Sequence, residues 1–384
     1  MMQRRVYNRA QAEAEFVHAL TRQVGYTTGA FSIRRMAGIV TLFDDASAYQ
    51  FELTKRLTAV GQAGESLTEK YATDILNFAS ELGIISKLQG ASAPHLSKYI
   101  LTDAGVSIRA ARAVSPELEK VILEHLILEN DADAYLRVLW LLESEQGKTA
   151  DSLAADFRDL VFESRQARFG WMQEVFPSKP VLMRLVKTGG SQVHWLKTNR
   201  LNVISLDRPS SDFGRHHFSP RKSWAVELDH YDPENRILTP AGRKFLDCAK
   251  WKGDWAANHW ISPTLECMAF LRVPQKGELF GGMAPTLDLL RPTGELHEPN
   301  EDLILATREF LYDAFGHIRL VHARQALTAP VTYFLLDQER KLGARYEKEV
   351  LLQIIARTYG DEFAFFSSRS GALAYYQLRK NNNG

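Results

Sequence analysis

Ala79-Ser80-Glu81-Leu82-Gly83-Ile84-Ile85, followed after a polar stretch by Tyr99-Ile100-Leu101-Thr102-Asp103-Ala104-Gly105, is the part of the chain whose reading decides the fold. Gly83 can take the left-handed conformation that ends a helix. Ile84-Ile85 then favours a strand. Thr102 can cap the next helix, and Asp103 suits its positive end. A related pattern runs Arg200-Leu201-Asn202-Val203-Ile204 and later Arg236-Ile237-Leu238-Thr239-Pro240-Ala241-Gly242. There Asn202 takes the place of Gly83, and Pro240 suits a first helical position. Each copy reads as a helix end, a short strand, a hairpin excursion, a returning strand and a capped helix.

That order resembles the back half of a winged helix. The fold class expected is mainly α with small β-hairpins (α+β), with tandem winged-helix domains and a C-terminal α/β or helical domain. The segments are 1–115, 116–250 with a long basic excursion, and 251–384. In the first, Tyr49–Val60 and Leu67–Leu82 are periodic helices, and Phe31–Val40 is strand-like. Ser115-Pro116 starts a bridging helix. In the second, Asp131–Leu142 and Thr149–Phe157 read as helices. Arg158–Lys187 is an insertion, and Gln192–Arg200 reads as a helix. Trp224–Asp229 reads as the outgoing strand of the hairpin. Past Lys250 the periodicity weakens until helices resume near Asp302–Phe315 and Gly343–Thr358, with Val331–Leu336 a strand or a helix start.

The 384 residues, 45% hydrophobic and 24% charged, suffice for two or three globular domains. No stretch approaches the ~20 apolar residues of a membrane span, so no membrane partner is expected. Met1–Asn8 lacks an apolar signal core, and Cys248 and Cys267 form no Cys-x-x-Cys pair. Both features point to a reducing cytoplasm, with no structural zinc and no cofactor expected.

The net charge of +1 conceals an asymmetry. Pro116–Glu163 holds 12 acidic and 4 basic residues, whereas Ser164–Trp224 holds 11 Lys or Arg and 3 Asp or Glu. Such a division creates a surface field even where the total cancels. Within the basic stretch, a reading helix over Gln192–Arg200 would offer Ser191, Gln192, His194, Lys197, Thr198 and Arg200 to the major groove. Thr188, beside Gly189-Gly190, could hold a phosphate at that helix start. Arg215, His216, His217, Arg221 and Lys222 would follow the backbone from a flexible loop. The first copy offers Lys70, Thr73 and Asn77 mixed with Glu69, Asp74 and Glu81, and reads more as scaffold.

Catalytic signals are sparse. The chain has no Walker A, Gly-x-Ser-x-Gly, His-Glu-x-x-His or Gly-x-Gly-x-x-Gly sequence. Asp337-Gln338-Glu339-Arg340-Lys341, placed after an apolar strand, would match the carboxylate and lysine half of a Mg²⁺-dependent nuclease site, with Asp313 as a further carboxylate.

The order from Leu76 to Phe157 is similar to the recognition half of type IIS restriction endonucleases. It is carried by Leu82-Gly83-Ile84-Ile85, Ile100-Leu101-Thr102-Asp103-Ala104-Gly105 and Arg137-Val138-Leu139-Trp140-Leu141-Leu142-Glu143. The resemblance implies duplex-DNA recognition. Without a convincing nuclease domain, it points to a non-catalytic DNA-binding subunit of a prokaryotic defence (antiviral), restriction or mobile-element complex. An ATPase or nuclease partner, or self-association, would then be expected. The alternatives are a protein-interaction scaffold built on winged helices, a Mg²⁺-dependent nuclease and a transcriptional regulator.

Overall fold

The computed structural model describes residues 24–25, 32–44, 47–60, 68–88, 97–144, 147–175, 192–197, 200–205, 211–248, 286–318, 320–321, 324–368 and 371–379. These are mainly helical, with five small sheets. They divide into two compact units. One takes the described residues within Arg35–Leu126 and Leu290–Gly384, the other those within Gln3–Arg34 and Ile127–Leu289. The division is discontinuous, unlike the consecutive segments 1–115, 116–250 and 251–384 drawn from the sequence.

The first unit opens within helix α1 (Ile33–Ala37), followed by a 3₁₀ turn, Gly38–Leu42. A strand was expected here, but Ile33, Met36, Ala37 and Val40 are all buried at helical spacing. Strand β1 (Ser47–Tyr49) leads without a break into α2 (Gln50–Val60) and then α3 (Glu69–Glu81). The Thr68 side chain caps α3 by accepting from the Tyr71 N–H. Ala72, Ile75, Leu76, Phe78 and Ala79 form its buried face. Strands β2 (Ile85–Leu88) and β3 (Lys98–Leu101) return antiparallel, giving a sheet in the order β1-β3-β2. Helices α4 (Asp103–Val114) and α5 (Pro116–Asn130) follow.

The second unit contains α6 (Ala132–Glu143) and α7 (Ala150–Val175). Helix α7 continues well past Phe157, where the sequence reading ended it. A hairpin of β4 (Gln192–Lys197) and β5 (Arg200–Ser205) comes next, then α8 (Ser211–Glu227). The short hairpin β6 (Tyr231–Asp232) and β7 (Ile237–Leu238) leads into α9 (Pro240–Cys248).

The second unit ends with α10 (Thr286–Leu289), and the first resumes with β8 (Leu296–His297) and α11 (Glu301–Asp313). Beyond these come β9 (Leu320–Val321), β10 (Arg324–Ala326), α12 (Thr328–Leu342) and β11 (Arg345–Tyr346). The last elements are α13 (Lys348–Thr358), β12 (Phe363–Ser367) and β13 (Leu373–Leu378). This segment is fastened to the earlier half of its unit by α12, which packs along α4. A hydrogen bond of 2.8 Å joins the Tyr333 hydroxyl to His125 Nδ1, and an ion pair joins Arg340 to the fully buried Glu124.

The repeated junction exists in hydrogen bonds, with one correction of register. In the first copy Gly83 has φ 87°, and the Ile84 N–H reaches back to the Ala79 carbonyl at 2.9 Å. Thr102 Oγ1 donates to the Gly83 carbonyl at 2.7 Å and accepts from the Gly105 N–H at 2.9 Å. The Thr102 N–H meets the Ile84 carbonyl at 3.2 Å. The second copy repeats each contact around Asp229, whose φ is 55°. The His230 N–H reaches the Ala225 carbonyl at 2.7 Å, and the Thr239 N–H meets the His230 carbonyl at 3.1 Å. Thr239 Oγ1 donates to the Asp229 carbonyl and accepts from the Gly242 N–H at 3.0 Å.

The partner of Ile237–Gly242 is therefore Leu228-Asp229-His230-Tyr231. Arg200–Ile204, the expected partner, lies in the β4–β5 hairpin instead, and Trp224–Glu227 is the end of α8 rather than a strand. Asp shares with Gly and Asn a tolerance for the left-handed region, which is why it can end α8.

The glycines that follow the threonines are obligatory for space. A Cβ on Gly105 would sit 2.1 Å from the Ile84 carbonyl oxygen, and one on Gly242 would sit 2.0 Å from that of His230. Gly105→Ala and Gly242→Ala are expected to destabilise their units by about 2–4 kcal/mol, read from chemical denaturation. Gly316→Ala, with nothing within 4 Å of the added Cβ, is expected to stay within about 0.5 kcal/mol of the parent protein. Equal stability of all three proteins would remove the steric argument.

Candidate nucleic-acid interface

Helix α8 carries five of the residues singled out from the sequence, Arg215, His216, His217, Arg221 and Lys222, and it is a helix rather than a flexible loop. Its inner face is set by Gly214, Phe218, Arg221, Trp224, Ala225 and Leu228, all buried. Gly214 lets α8 approach α7 closely, because a Cβ there would lie 2.2 Å from the Ala154 carbonyl oxygen. Phe157 stacks on Phe213 at 6.4 Å between ring centres and tilts against Phe218 at 5.9 Å. The face turned to solvent then carries Asp212, Arg215, His216 and Val226, with Ser219, Lys222 and Ser223 half-buried beside them.

Arg221 belongs to the core and not to this outward face. Its guanidinium is fully buried and grips Asp131 bidentately, Nε to Oδ2 at 2.7 Å and Nη2 to Oδ1 at 2.6 Å. It also donates to the carbonyls of Val24 at 2.9 Å and His217 at 2.8 Å. Asp131 accepts in turn from the Val24 N–H at 2.7 Å. Burial pushes the Asp131 carboxyl above its ordinary value, against the pull of Arg221 and the Val24 N–H. The cluster ties the residues around Val24, the start of α6 and the middle of α8 into one body. From sequence it looked like one more cation of a basic loop, since its buried acid lies 90 residues away.

The remaining candidates are distributed differently. Gln192, His194, Lys197 and Arg200 lie on the β4–β5 hairpin, where Gln192 pairs with Ser205, His194 with Val203 and Lys197 with Arg200. They do not form a reading helix. Alternating polar and apolar residues with Val193, Val203 and Ile204 favour strands, and only residues 198–199 separate the two. Thr188, Ser191 and Thr198 lie outside the described residues. Of the eleven basic residues in Ser164–Trp224, the described side chains are those of Arg215, Arg221 and Lys222, of which Arg221 is internal.

Arg215 Nε contacts Asp151 Oδ1 at 3.1 Å with both groups exposed, a pair that solvent screens strongly. Lys222 Nζ lies 5.0 Å above the Tyr231 ring. Helix α9 adds Arg243 and Lys244, both exposed, which the sequence reading did not single out. The β6–β7 turn is closed by Asp232, which accepts from the backbone N–H groups of Glu234 and Asn235 and from the Asn235 side chain at 2.7 Å. The Asn235 side-chain bond leads in holding its carboxyl below the usual range, so the turn keeps a negative charge.

The nuclease arrangement requires a strand before the acidic-x-Lys element, and the structure has a helix there. Asp337, Glu339 and Lys341 all lie on α12. Glu339 is buried, with Oε2 taken by Arg291 Nε at 2.7 Å and Oε1 by Arg291 Nη2 and the Tyr346 N–H. Lys341 closes on Asp337 at 2.6 Å one turn away. Both Glu339 oxygens are spent on holding β11 and Arg291, so that reading is withdrawn.

No protein-family model, curated protein or solved structure matches the chain. Arg221→Ala leaves the Asp131 carboxylate buried without its cation and is expected to cost about 3–5 kcal/mol in the second unit, measured by denaturation. Lys222→Ala, on the half-buried margin, is expected to cost about 1 kcal/mol or less. A small effect for Arg221→Ala would show that the buried pair is not what joins these segments.

Proposed function

We propose that this chain binds duplex DNA through winged-helix modules, the first spanning α1 to α4 and the second α6 to α9. It would act without chemistry of its own, as a specificity or loading subunit of a prokaryotic defence, restriction or mobile-element complex. The observation that carries this reading is the junction after α3 and after α8, where the same hydrogen bonds set a helix end against an antiparallel hairpin and a capped helix. In a winged helix, the helix before the hairpin enters the major groove. In the second module that helix is α8, and Arg215, His216 and Lys222 would meet phosphates and base edges. In the sequence, Ser164–Arg208 adds eight further basic residues to the chain's positive charge.

The interaction-scaffold alternative is favoured for the first module by one observation. Helix α3 turns Glu69 and Lys70 fully outward, with Thr73, Asp74 and Asn77 half-buried, a mixed face poorly suited to phosphates. That module would then hold the partner protein while the second holds DNA.

Duplex DNA should be retained by the full chain in a salt-dependent manner. Arg215→Glu and Lys222→Glu are each expected to lower the slope of log K against log salt by about 1. No retention near 50 mM salt, at about micromolar protein, would sink the DNA-binding reading.

A further inference from the structure

The C-terminal segment repeats the topology of the first module without its sequence signature. In the first module β1 runs directly into α2, α3 follows, and the β2–β3 hairpin returns so that β3 lies between β1 and β2. In the C-terminal segment β10 runs into α12 across the single residue Leu327. Helix α13 follows, and the β12–β13 hairpin returns so that β13 lies between β10 and β12. Helix α11 precedes this sheet as α1 precedes the first, and it packs on both α12 and α13.

The core is closed in the same sense. Phe310 of α11 stacks on Phe334 of α12 at 4.5 Å. Leu351, Leu352 and Ile355 are buried from α13. Phe363 and Tyr376 cover them from the hairpin, with the Tyr376 hydroxyl donating to the Leu311 carbonyl at 2.8 Å. Arg308 Nε, at 2.7 Å from Glu362, fixes α11 to the turn between α13 and β12.

With Leu351, Leu352 and Ile355 turned inward, α13 presents Glu349, Gln353, Arg357 and Thr358 to solvent. Glu349 is within 3.6 Å of Lys348. Glu362, at the hairpin base, is held below its ordinary range chiefly by the Arg308 hydrogen bond, so its charge is compensated in place. Asp361 stays exposed beside it. From Phe363 to Lys380 the chain has Arg369, Arg379 and Lys380 and no Asp or Glu. The hairpin of the second module, in contrast, carries Asp232, whose carboxyl is held below its ordinary range chiefly by the Asn235 side chain, and Glu234 beside it. The β2–β3 hairpin is also free of acid, but α3 before it presents Glu69, whereas β12–β13 follows a helix whose last turns present Gln353 and Arg357.

We infer that β10 to β13 form a third module of the same kind, and that α13 makes its own contact with duplex DNA through Gln353, Arg357 and Thr358. The inference rests on the duplex-DNA reading above. Gln353 has the paired donor and acceptor that match adenine, Arg357 suits guanine or phosphate, and the Thr358 hydroxyl suits phosphate.

The test is retention of duplex DNA by the full chain across a salt series, for the parent protein and for Arg357→Glu, Gln353→Lys and Arg215→Glu, each with a thermal melt. Arg357→Glu should weaken retention about tenfold or more and lower the salt slope by about 1, and Gln353→Lys should strengthen retention. Neither should shift the melt, since both side chains are exposed. Unchanged retention in both α13 variants, with Arg215→Glu weakened, overturns the third contact and leaves the DNA-binding reading standing. If Arg357→Glu melts early, Gln353→Lys decides, and unchanged retention there overturns the inference. A parent protein that retains no duplex overturns both readings.

Discussion

Each of the first two modules depends on one threonine. Its hydroxyl donates to the carbonyl of the left-handed residue ending one helix and accepts from the N–H of the third residue of the next helix. These are backbone groups that no regular helix bond can satisfy, and leaving them unpaired in a partly buried corner would cost more than the bond itself contributes. The glycine three residues on lets the second helix press against the strand that leaves the first. The hairpin between them is thereby closed at its base whatever its length. This tolerance explains how hairpins as different as residues 85–101 and 231–238 can be built on one junction.

Charge in the second unit must be sorted by burial before it speaks of partners. Arg221 and Asp131 have withdrawn from solvent into a closed pair with the Val24 backbone, and their role is to join distant segments. Asp133 and Arg137 form a second buried pair one turn apart on α6. In the first unit the buried Glu339 closes on the half-buried Arg291. Breaking any of these strands an ion in low dielectric, so they specify the arrangement more than they attract ligands. What is left outward on α8 is a smaller set than the linear count of basic residues suggests.

The third helix–helix–hairpin unit escaped sequence reading for a physical reason. The repeated signature marks the base of a hairpin that is followed by a capped helix. Among the described residues no helix follows β13, and Leu378-Arg379-Lys380 carries no capping threonine. Its α13–β12 turn, Tyr359-Gly360-Asp361-Glu362, is held by the Arg308 side chain instead of by a left-handed residue. The same topology can therefore be stabilised by packed aromatics and one ion pair, with no short motif to betray it.

Local chemistry by itself determined the mainly helical class, the Thr102 cap, the Ser115-Pro116 helix start and the Ile237–Gly242 half of the second junction. All of these depend on hydrogen bonds between residues a few positions apart. Only the tertiary structure decided which upstream segment completes that junction. Asn202 and Asp229 are both residue types that accept a positive φ, and the choice fell to α8 because Phe218, Arg221, Trp224 and Leu228 need burial against α6 and α7. The same cause made Ile33–Val40, expected as part of a strand, a helix and a 3₁₀ turn, and kept Arg221 from the surface. Burial is a property of contacts made across tens to hundreds of residues, and no window of the sequence contains them.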